Sequence, residues 1–429
     1  MIAAELFQST PVKPKSIAII GGGIASVCVA DQIFKQQADS HVHIFCQDSQ
    51  LASRGSGNKQ GAIYPLLQGS KSDIAELYNQ CFHFAVEYYH TLMTQGIEFE
   101  HQWCGVLQQA FTEELEIRLN KFAKVWPNTC QYINAEHSSK IANLDLPFSS
   151  VFYPKGGWLY PQQFCERLIR ELHKRFNLNV TMNCSISSLT QDNNCWQLTH
   201  NDTQYSEKFE AVIICSGHQA NRFEQTRHIP LQPIRGQVSR FHAQNSMSEL
   251  NTVLCHNGYV TPSQGQYQSF GATFNKGETN EISRAEDNST NFRQLTSIYQ
   301  KQDWAKSLNE NDVIGDKAAI RATSIDHTPI AGQVYSEQWV RTFVDQNNGN
   351  LKRQYKLKNE SQNYEDSDLS GLFIMTGLGA RGLTTAPLIA KHLVSSMFGL
   401  PSPFNDRIKK AISAMRFQVR QLKRDKDKR

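Results

Sequence analysis

The spacing of apolar and polar residues changes along this chain, and the changes mark its elements. Ser16–Ile20 is a short apolar run that reads as a buried strand. Gly21–Gly23 makes a tight turn, and Ile24 to Phe34 reads as a helix. His41 to Cys46 is rich in β-branched and aromatic residues, which predicts a second strand. Leu51 to Tyr64 is polar and glycine-rich and is expected to be a loop. Ile74, Leu77, Tyr78, Cys81, Phe84, Ala85 and Tyr88 recur at helical spacing, which predicts a helix over 74–94.

Residues 95–160 are mixed, with a turn signal at Lys155-Gly156-Gly157-Trp158. Pro161 to Phe176 reads as a helix, and a strand begins at Asn179. Ala211 to Cys215 is a strongly apolar strand that ends in Ser216-Gly217. Alternating stretches follow at 237–241, 258–261 and 268–273 and suggest a β-rich lobe. A last strand at Leu372 to Met375 leads through Gly377–Gly382 into a helix ending near Phe398.

This order predicts an α/β (α+β) chain: a Rossmann-like dinucleotide lobe interrupted by a β-rich substrate lobe. The expected division is a linker at 1–15 and a discontinuous FAD-binding domain at 16–80, 150–232 and 330–400. A substrate domain at 81–149 and 233–329 and a basic C-terminal helix or tail at 401–429 complete it.

Composition narrows the class. The 429 residues are 39% hydrophobic and 10% aromatic, enough to build a core. No apolar run reaches the roughly 18 residues of a membrane span, and no secretory signal stands at the start. The ten cysteines form no CxxC, so they read as free thiols of a reducing cytoplasm, and a cytoplasmic protein is expected. No Cys or His spacing supports a metal site, and none is expected. The net charge of +4 hides an asymmetry: residues 407–429 carry ten Lys or Arg and two Asp, a net +8, which leaves −4 on the rest. A basic end on a mildly acidic body suits a polyanion partner; a solvated, frayed terminus is the other reading.

Gly21-Gly22-Gly23-Ile24-Ala25-Ser26 follows a strand and opens a helix. The first glycine permits the turn and Gly23 lets the backbone approach a pyrophosphate. Ser26, standing for the third glycine, is small enough for helix–strand packing. The second strand lacks an acid at its end, and Asp48, two residues beyond Cys46, is the candidate for the ribose. The motif alone does not separate FAD from NAD.

The stretch from Arg54 to Pro65, with Ser56, Gly57, Asn58, Gln60, Gly61 and Ala62, resembles the segment after the second strand in the glycine oxidase, sarcosine oxidase and D-amino-acid oxidase superfamily. Its wording is similar to one branch, the FAD-dependent half of the bacterial bifunctional enzymes that make 5-methylaminomethyl-2-thiouridine in tRNA. Further matching stretches are Trp103–Val106, Tyr153–Trp158, Ser216-Gly217-His218, Gly236-Gln237-Val238, Arg321-Ala322-Thr323, Asp326-His327, Leu378–Leu383 and Ala386-Pro387-Leu388. The likeness runs from about Ser16 to the end of the last helix. That branch carries a methyltransferase domain ahead of the flavin domain, and no such domain is found in this sequence.

The resemblance implies FAD as cofactor, cradled by the Gly21–Ser26 turn, by Ser56–Ala62, by Ser216 and Gly217, and by Gly377, Gly379, Ala380, Arg381, Gly382 and Leu383. It implies a substrate that is a secondary amine bearing a carboxymethyl group, at the wobble uridine of tRNA. Oxidation between nitrogen and carboxylate would give an imine, and hydrolysis would release glyoxylate. Arg321 and Arg381 are the candidates for a carboxylate clamp, and Tyr259 for a hydrogen bond over the reacting centre. His218 and His327 are potential bases, and neither is assigned. The competing readings are a free glycine- or sarcosine-type oxidase without RNA, a flavin-containing RNA-binding protein without turnover, and an NAD-dependent dehydrogenase.

Overall fold

A computed structural model describes residues 12–243, 245–347 and 369–427. The first element is the predicted one: Ser16–Ile20 forms a strand at the middle of a six-stranded sheet. The order across that sheet is Ile330–Gln333, Leu372–Thr376, Ala211–Ile214, Ser16–Ile20, His41–Phe45 and Leu178–Thr181. All neighbours run parallel except the outermost pair, Ile330–Gln333 against Leu372–Thr376.

Alternation along these strands divides the core in two. Ile17, Ile19, Val42, Ile44, Ile213 and Phe373 pack against the helices Ile24–Gln36, Asp73–Thr94, Pro161–Arg175 and Gly382–Phe398. Ala18, Ile20, Phe45, Val212, Ile214 and Ile374 face the other way, onto Trp196, Leu198 and Phe209 of a three-stranded meander. The meander consists of Ile186–Asp192, Cys195–His200 and Thr203–Phe209. Both faces are therefore covered, which is why these strands read as continuous apolar runs.

The β-rich lobe is a nine-stranded sheet. Its spine is the long antiparallel pair Leu231–His242 and Val313–Ser324. Two expectations are corrected here. The boundary drawn at residue 80 falls inside Asp73–Thr94, and that helix packs along its length on the first core through Leu77, Cys81, Phe82, Ala85, Tyr89 and Leu92. The loop predicted over 51–64 contains a short strand, Gly61–Ile63, paired with Gly157–Leu159.

The basic C-terminal segment is a docked element. Helices Asp406–Ile412 and Arg416–Asp427 bury Ile408, Ile412, Val419 and Leu422. Arg416 is 2% exposed and grips both carboxylate oxygens of Asp326 at 3.1 and 2.9 Å. Arg420 adds a contact of 2.5 Å to the same carboxylate. Most of the linker called at 1–15 lies outside the described residues; Val12 and Lys13 donate backbone hydrogen bonds to the Met397 carbonyl.

Candidate active site

Gly21 leaves the first strand with a φ of +129°, and a Cβ there would lie 2.5 Å from the Cys215 carbonyl oxygen. Only glycine fits this turn without displacing backbone. The turn places the first N–H groups of Ile24–Gln36 at the wall of a cavity of about 700 Å³. That helix start has no acid in its first turn and no side chain of its own as a cap; instead the Ile24 N–H donates to Ser56 Oγ at 3.1 Å. The contact draws the 56–62 segment against the helix N-terminus, where unsatisfied N–H groups and the helix dipole favour an anion.

The second glycine-rich turn reaches the same cavity from the end of Leu372–Thr376, which is separated from Ser16–Ile20 by one strand. Gly377 and Gly379 take positive φ values of +72° and +56°, and Gly382–Phe398 starts directly after them without a side-chain cap. Gly377, Gly379, Ala380, Arg381, Gly382 and Leu383 all line the cavity. So do Gly21, Gly22, Gly23, Ile24 and Ala25, then Ser56, Asn58, Gly61 and Ala62, and finally Ser216 and Gly217.

Three predicted residues stand behind the wall. Ser26 is fully buried in the helix–strand contact. Gly57 abuts the Lys317 side chain and the Ala52 carbonyl. Gln60 is a brace: its amide donates to the Pro262 carbonyl at 2.8 Å, and its Oε1 accepts from Thr261 Oγ1 at 2.7 Å. It stitches the loop to the β-rich lobe. Asp48 lines the cavity, but Arg54 Nε holds its carboxylate at 2.8 and 2.9 Å, and Arg54 also pairs with Glu281.

Arg321, Arg381 and Tyr259 meet at this cavity from three separate parts of the chain. The Arg381 guanidinium lies over the Tyr64 ring, 3.7 Å from its centroid. Arg321 Nη1 donates to the Thr273 carbonyl at 3.2 Å. Among the described residues neither guanidinium has a carboxylate within salt-bridge distance. Burial pulls the pKa of Arg321 down, and a nearby anion would offset that cost. For Arg381 burial acts in the same direction, yet the facing Tyr64 raises its pKa overall. The pKa of the Tyr259 hydroxyl is pushed up to about 12 by burial, and among the described residues its hydroxyl has only a long 3.5 Å contact to the Gln60 carbonyl, which leaves it placed to donate into the cavity.

Sequence reasoning missed several lining residues. Both ring nitrogens of His256 are buried and without a partner among the described residues, and burial lowers its pKa to about 3. No sequence pattern marks a histidine as an orphan of this kind. Tyr64 stands in the resembling stretch, but its place beneath Arg381 depends on the fold. Phe274 and Leu66 line the cavity while 54% and 44% exposed, so they sit at its rim. His218 and His327 both line it as well; burial lowers the pKa of His218.

The cavity fits FAD. Two helix N-termini face it, a glycine turn leaves no Cβ at the closest approach, and the buried Ser216 hydroxyl has no partner among the described residues.

The chain belongs to the FAD dependent oxidoreductase family, whose model matches residues 16–396. It is therefore an FAD-dependent oxidoreductase. Among curated proteins it is similar to the tRNA 5-methylaminomethyl-2-thiouridine biosynthesis bifunctional protein MnmC of Pseudoalteromonas translucida (strain TAC 125), 37% identical over 99% of this chain and 62% of that protein. The protein of the same name from Shewanella frigidimarina (strain NCIMB 400) is 31% identical over 98% of this chain and 62% of that protein. The chain thus spans about three fifths of the length of these relatives. The fold is shared with glycine oxidase from Geobacillus kaustophilus (TM-score 0.69, 17% identity, 91% of this chain and 96% of that one). It is also shared with iminodiacetate oxidase (IdaA) from Chelativorans sp. BNC1 (TM-score 0.68, 16% identity, 91% and 97%). No described helix is long and apolar enough to cross a membrane.

Proposed function

We propose that this chain removes the carboxymethyl group of 5-carboxymethylaminomethyl-(2-thio)uridine at the wobble position of tRNA, giving 5-aminomethyl-(2-thio)uridine. The observation that carries this is the pair Arg321 and Arg381, two guanidinium groups facing one cavity with no carboxylate partner among the described residues. A buried cation pair without counter-charge calls for an anionic ligand, and a planar carboxylate matches the fork of an arginine. The names of the relatives supply the tRNA, and glycine and iminodiacetate, for which two oxidases of this fold are named, are amines on a carboxymethyl group.

The residues divide the work. The Gly21–Ala25 turn, Ser56, Asn58, Ala62, Ser216 and Gly217 would hold the FAD, whose anionic diphosphate suits the first helix N-terminus. The turn from Gly377 to Leu383 would add a second helix N-terminus to the cofactor's surround. Bound FAD supplies the two-electron acceptor for the C–H bond between amine and carboxylate. Arg321 and Arg381 grip the carboxylate, and the Tyr259 hydroxyl donates to it. They fix the C–H bond in one orientation. Water then cleaves the imine to glyoxylate and the aminomethyl-uridine. No dedicated base is assigned, since oxidation proceeds from the neutral amine.

A tRNA substrate puts the reaction in the cytoplasm. A methyltransferase, in a longer form of the chain or in another protein, takes the aminomethyl product further. The test is mass spectrometry of wobble nucleosides after incubation with tRNA bearing carboxymethylaminomethyl-uridine. Loss of the carboxymethyl mass is expected. An unchanged nucleoside together with rapid turnover of free glycine or sarcosine would replace this reading with a small-amine oxidase, and bleaching of neither would leave a binding protein.

A further inference from the structure

The face of the six-stranded sheet that carries the meander holds a second cluster of chemistry-bearing side chains. His41 and His43 stand two residues apart on the strand His41–Phe45, so both point to the same face. Glu207, on the meander strand Thr203–Phe209, reaches between them. Its Oε1 lies 2.8 Å from His41 Nδ1 and its Oε2 lies 3.3 Å from His43 Nδ1. One nitrogen of each ring and a carboxylate oxygen all fall within 4.8 Å of one another.

The outer ring nitrogens are held as well. Asn179 Nδ2 is 3.1 Å from His41 Nε2, and Thr181 Oγ1 is 2.8 Å from His43 Nε2. Asn179 and Thr181 alternate on the neighbouring strand Leu178–Thr181, whose parallel register sets His43 opposite Asn179. Two adjacent strands thus provide one row of inner donors and one row of outer supports.

We propose that His41, His43 and Glu207 bind one divalent transition-metal ion of the Zn²⁺ class. Two imidazoles and one carboxylate are donors that Zn²⁺ takes at about 2.0–2.2 Å, with a fourth position left for water. Histidines that ligate metals almost always engage their second nitrogen with a carbonyl, hydroxyl or carboxylate, which fixes the ring and its tautomer. Asn179 and Thr181 are placed for that purpose. A half-turn of the Asn179 amide presents its oxygen to an Nε2–H of His41, which leaves Nδ1 unprotonated toward the ion. The Thr181 hydroxyl accepts the Nε2–H of His43 in the same way.

Access matches a binding site too. The His43 side chain is 6% exposed, against 23% for His41 and 29% for Glu207, so the cluster is closed behind and open in front. The stacked ring of Phe45, 4.2 Å from His43, and the edge of Tyr205 form the apolar surround. The ion would tie the meander to the cofactor sheet, far in sequence but adjacent in space. No spacing rule finds this set, because the third donor is 164 residues from His43.

The test uses the full FAD-bound protein, stripped of metals with a chelator and dialysed. Titration with ZnCl₂ by calorimetry is expected to show one saturable equivalent per chain and a raised thermal midpoint. His41→Ala and Glu207→Gln should each lose that equivalent while keeping flavin content and circular dichroism. Asn179→Ala should weaken it about 10–100-fold, as removal of an outer support does. His137→Ala, at an exposed helix position, should leave it unchanged. No saturable equivalent in the parent protein, or equal binding by His41→Ala and Glu207→Gln, would overturn the proposal in favour of a metal-free His–Glu–His clamp. Neither result bears on wobble-uridine oxidation, which is read separately by nucleoside mass.

Discussion

Arg381 stacks on Tyr64, guanidinium over ring at 3.7 Å. The stack orients the guanidinium plane and leaves its edge donors available to a ligand. Tyr64 follows the short strand Gly61–Ile63 and Arg381 stands at the N-cap position of Gly382–Phe398, so the pair couples the two segments that face the cofactor.

Arg381→Lys should keep the charge and lose the fork and the stack. A charged hydrogen bond is worth about 1.5–3 kcal/mol, so kcat/KM for the carboxymethyl amine should fall roughly 10- to 150-fold. Arg321→Met should cost at least as much. Steady-state oxidation at saturating and limiting substrate checks both, and a loss below threefold in either would remove that residue from the clamp.

Gly21→Ala should lower flavin content. The substituted Cβ meets a backbone carbonyl at 2.5 Å and the position has a positive φ, so backbone must move. Strain of this kind costs about 1–3 kcal/mol or more. The ratio of flavin absorbance to protein absorbance after purification reports it. A ratio equal to that of the parent would show that the turn tolerates a side chain.

Asp326 links stability to acid pH. Burial alone would raise its pKa, but Arg416, Ser324 and Arg420 together hold it well below the usual carboxylate range. With the folded value depressed, the contribution is fully present above the unfolded pKa near ~4 and is lost as pH falls through the folded value. Asp326→Asn should therefore lower the thermal midpoint at pH 7, since the half-buried carboxylate accepts from two guanidinium groups and a charged hydrogen bond contributes about 1.5–3 kcal/mol. The gap between variant and parent should narrow below about pH 4. Melting curves from pH 3 to 8 check the sign; a gap that does not change with pH would assign the loss to packing.

Phe274 follows Thr273, whose carbonyl anchors Arg321, and its ring stands exposed at the cavity rim. A base stacked on an aromatic ring gains about 1–3 kcal/mol. Phe274→Ala should raise KM for modified tRNA roughly 5- to 150-fold by that arithmetic. Turnover of a free N-carboxymethyl amine should be unchanged. Equal effects on both substrates would mean that the ring shapes the cavity rather than meeting the nucleoside.

Arg407 and Arg424 are exposed on the docked C-terminal helices. Their replacement by Glu should weaken tRNA binding and flatten its dependence on salt, because fewer counterions are released. Filter binding between 50 and 200 mM salt measures the slope. Deletion of the whole segment is a poorer test, since it would remove the buried Ile408, Ile412 and Leu422 and expose the surface they pack on.

Much of the cofactor lobe was legible from residues alone. Ser16–Ile20, the Gly21–Gly23 turn, Ala211–Ile214 and Leu372–Thr376 are local patterns, where side-chain alternation and glycine geometry act within a few residues. The domain boundary expected at residue 80 falls inside the helix Asp73–Thr94, because nothing local distinguishes the core that a helix packs on. The strand Gly61–Ile63 was read as loop because its pairing partner, Gly157–Leu159, lies about 95 residues away.

The dinucleotide turn, the order of elements and, through resemblance, the cofactor are written in the sequence itself. Only the tertiary structure decided which charges are paired. It gave Asp48 to Arg54, Asp326 to Arg416 and Glu207 to two histidines, and it left Arg321 and Arg381 facing the cavity without an acid among the described residues. The reason is range. Periodicity and turns are set by neighbours in the chain, whereas the partner of a charge is whatever the packed fold brings within a few ångströms.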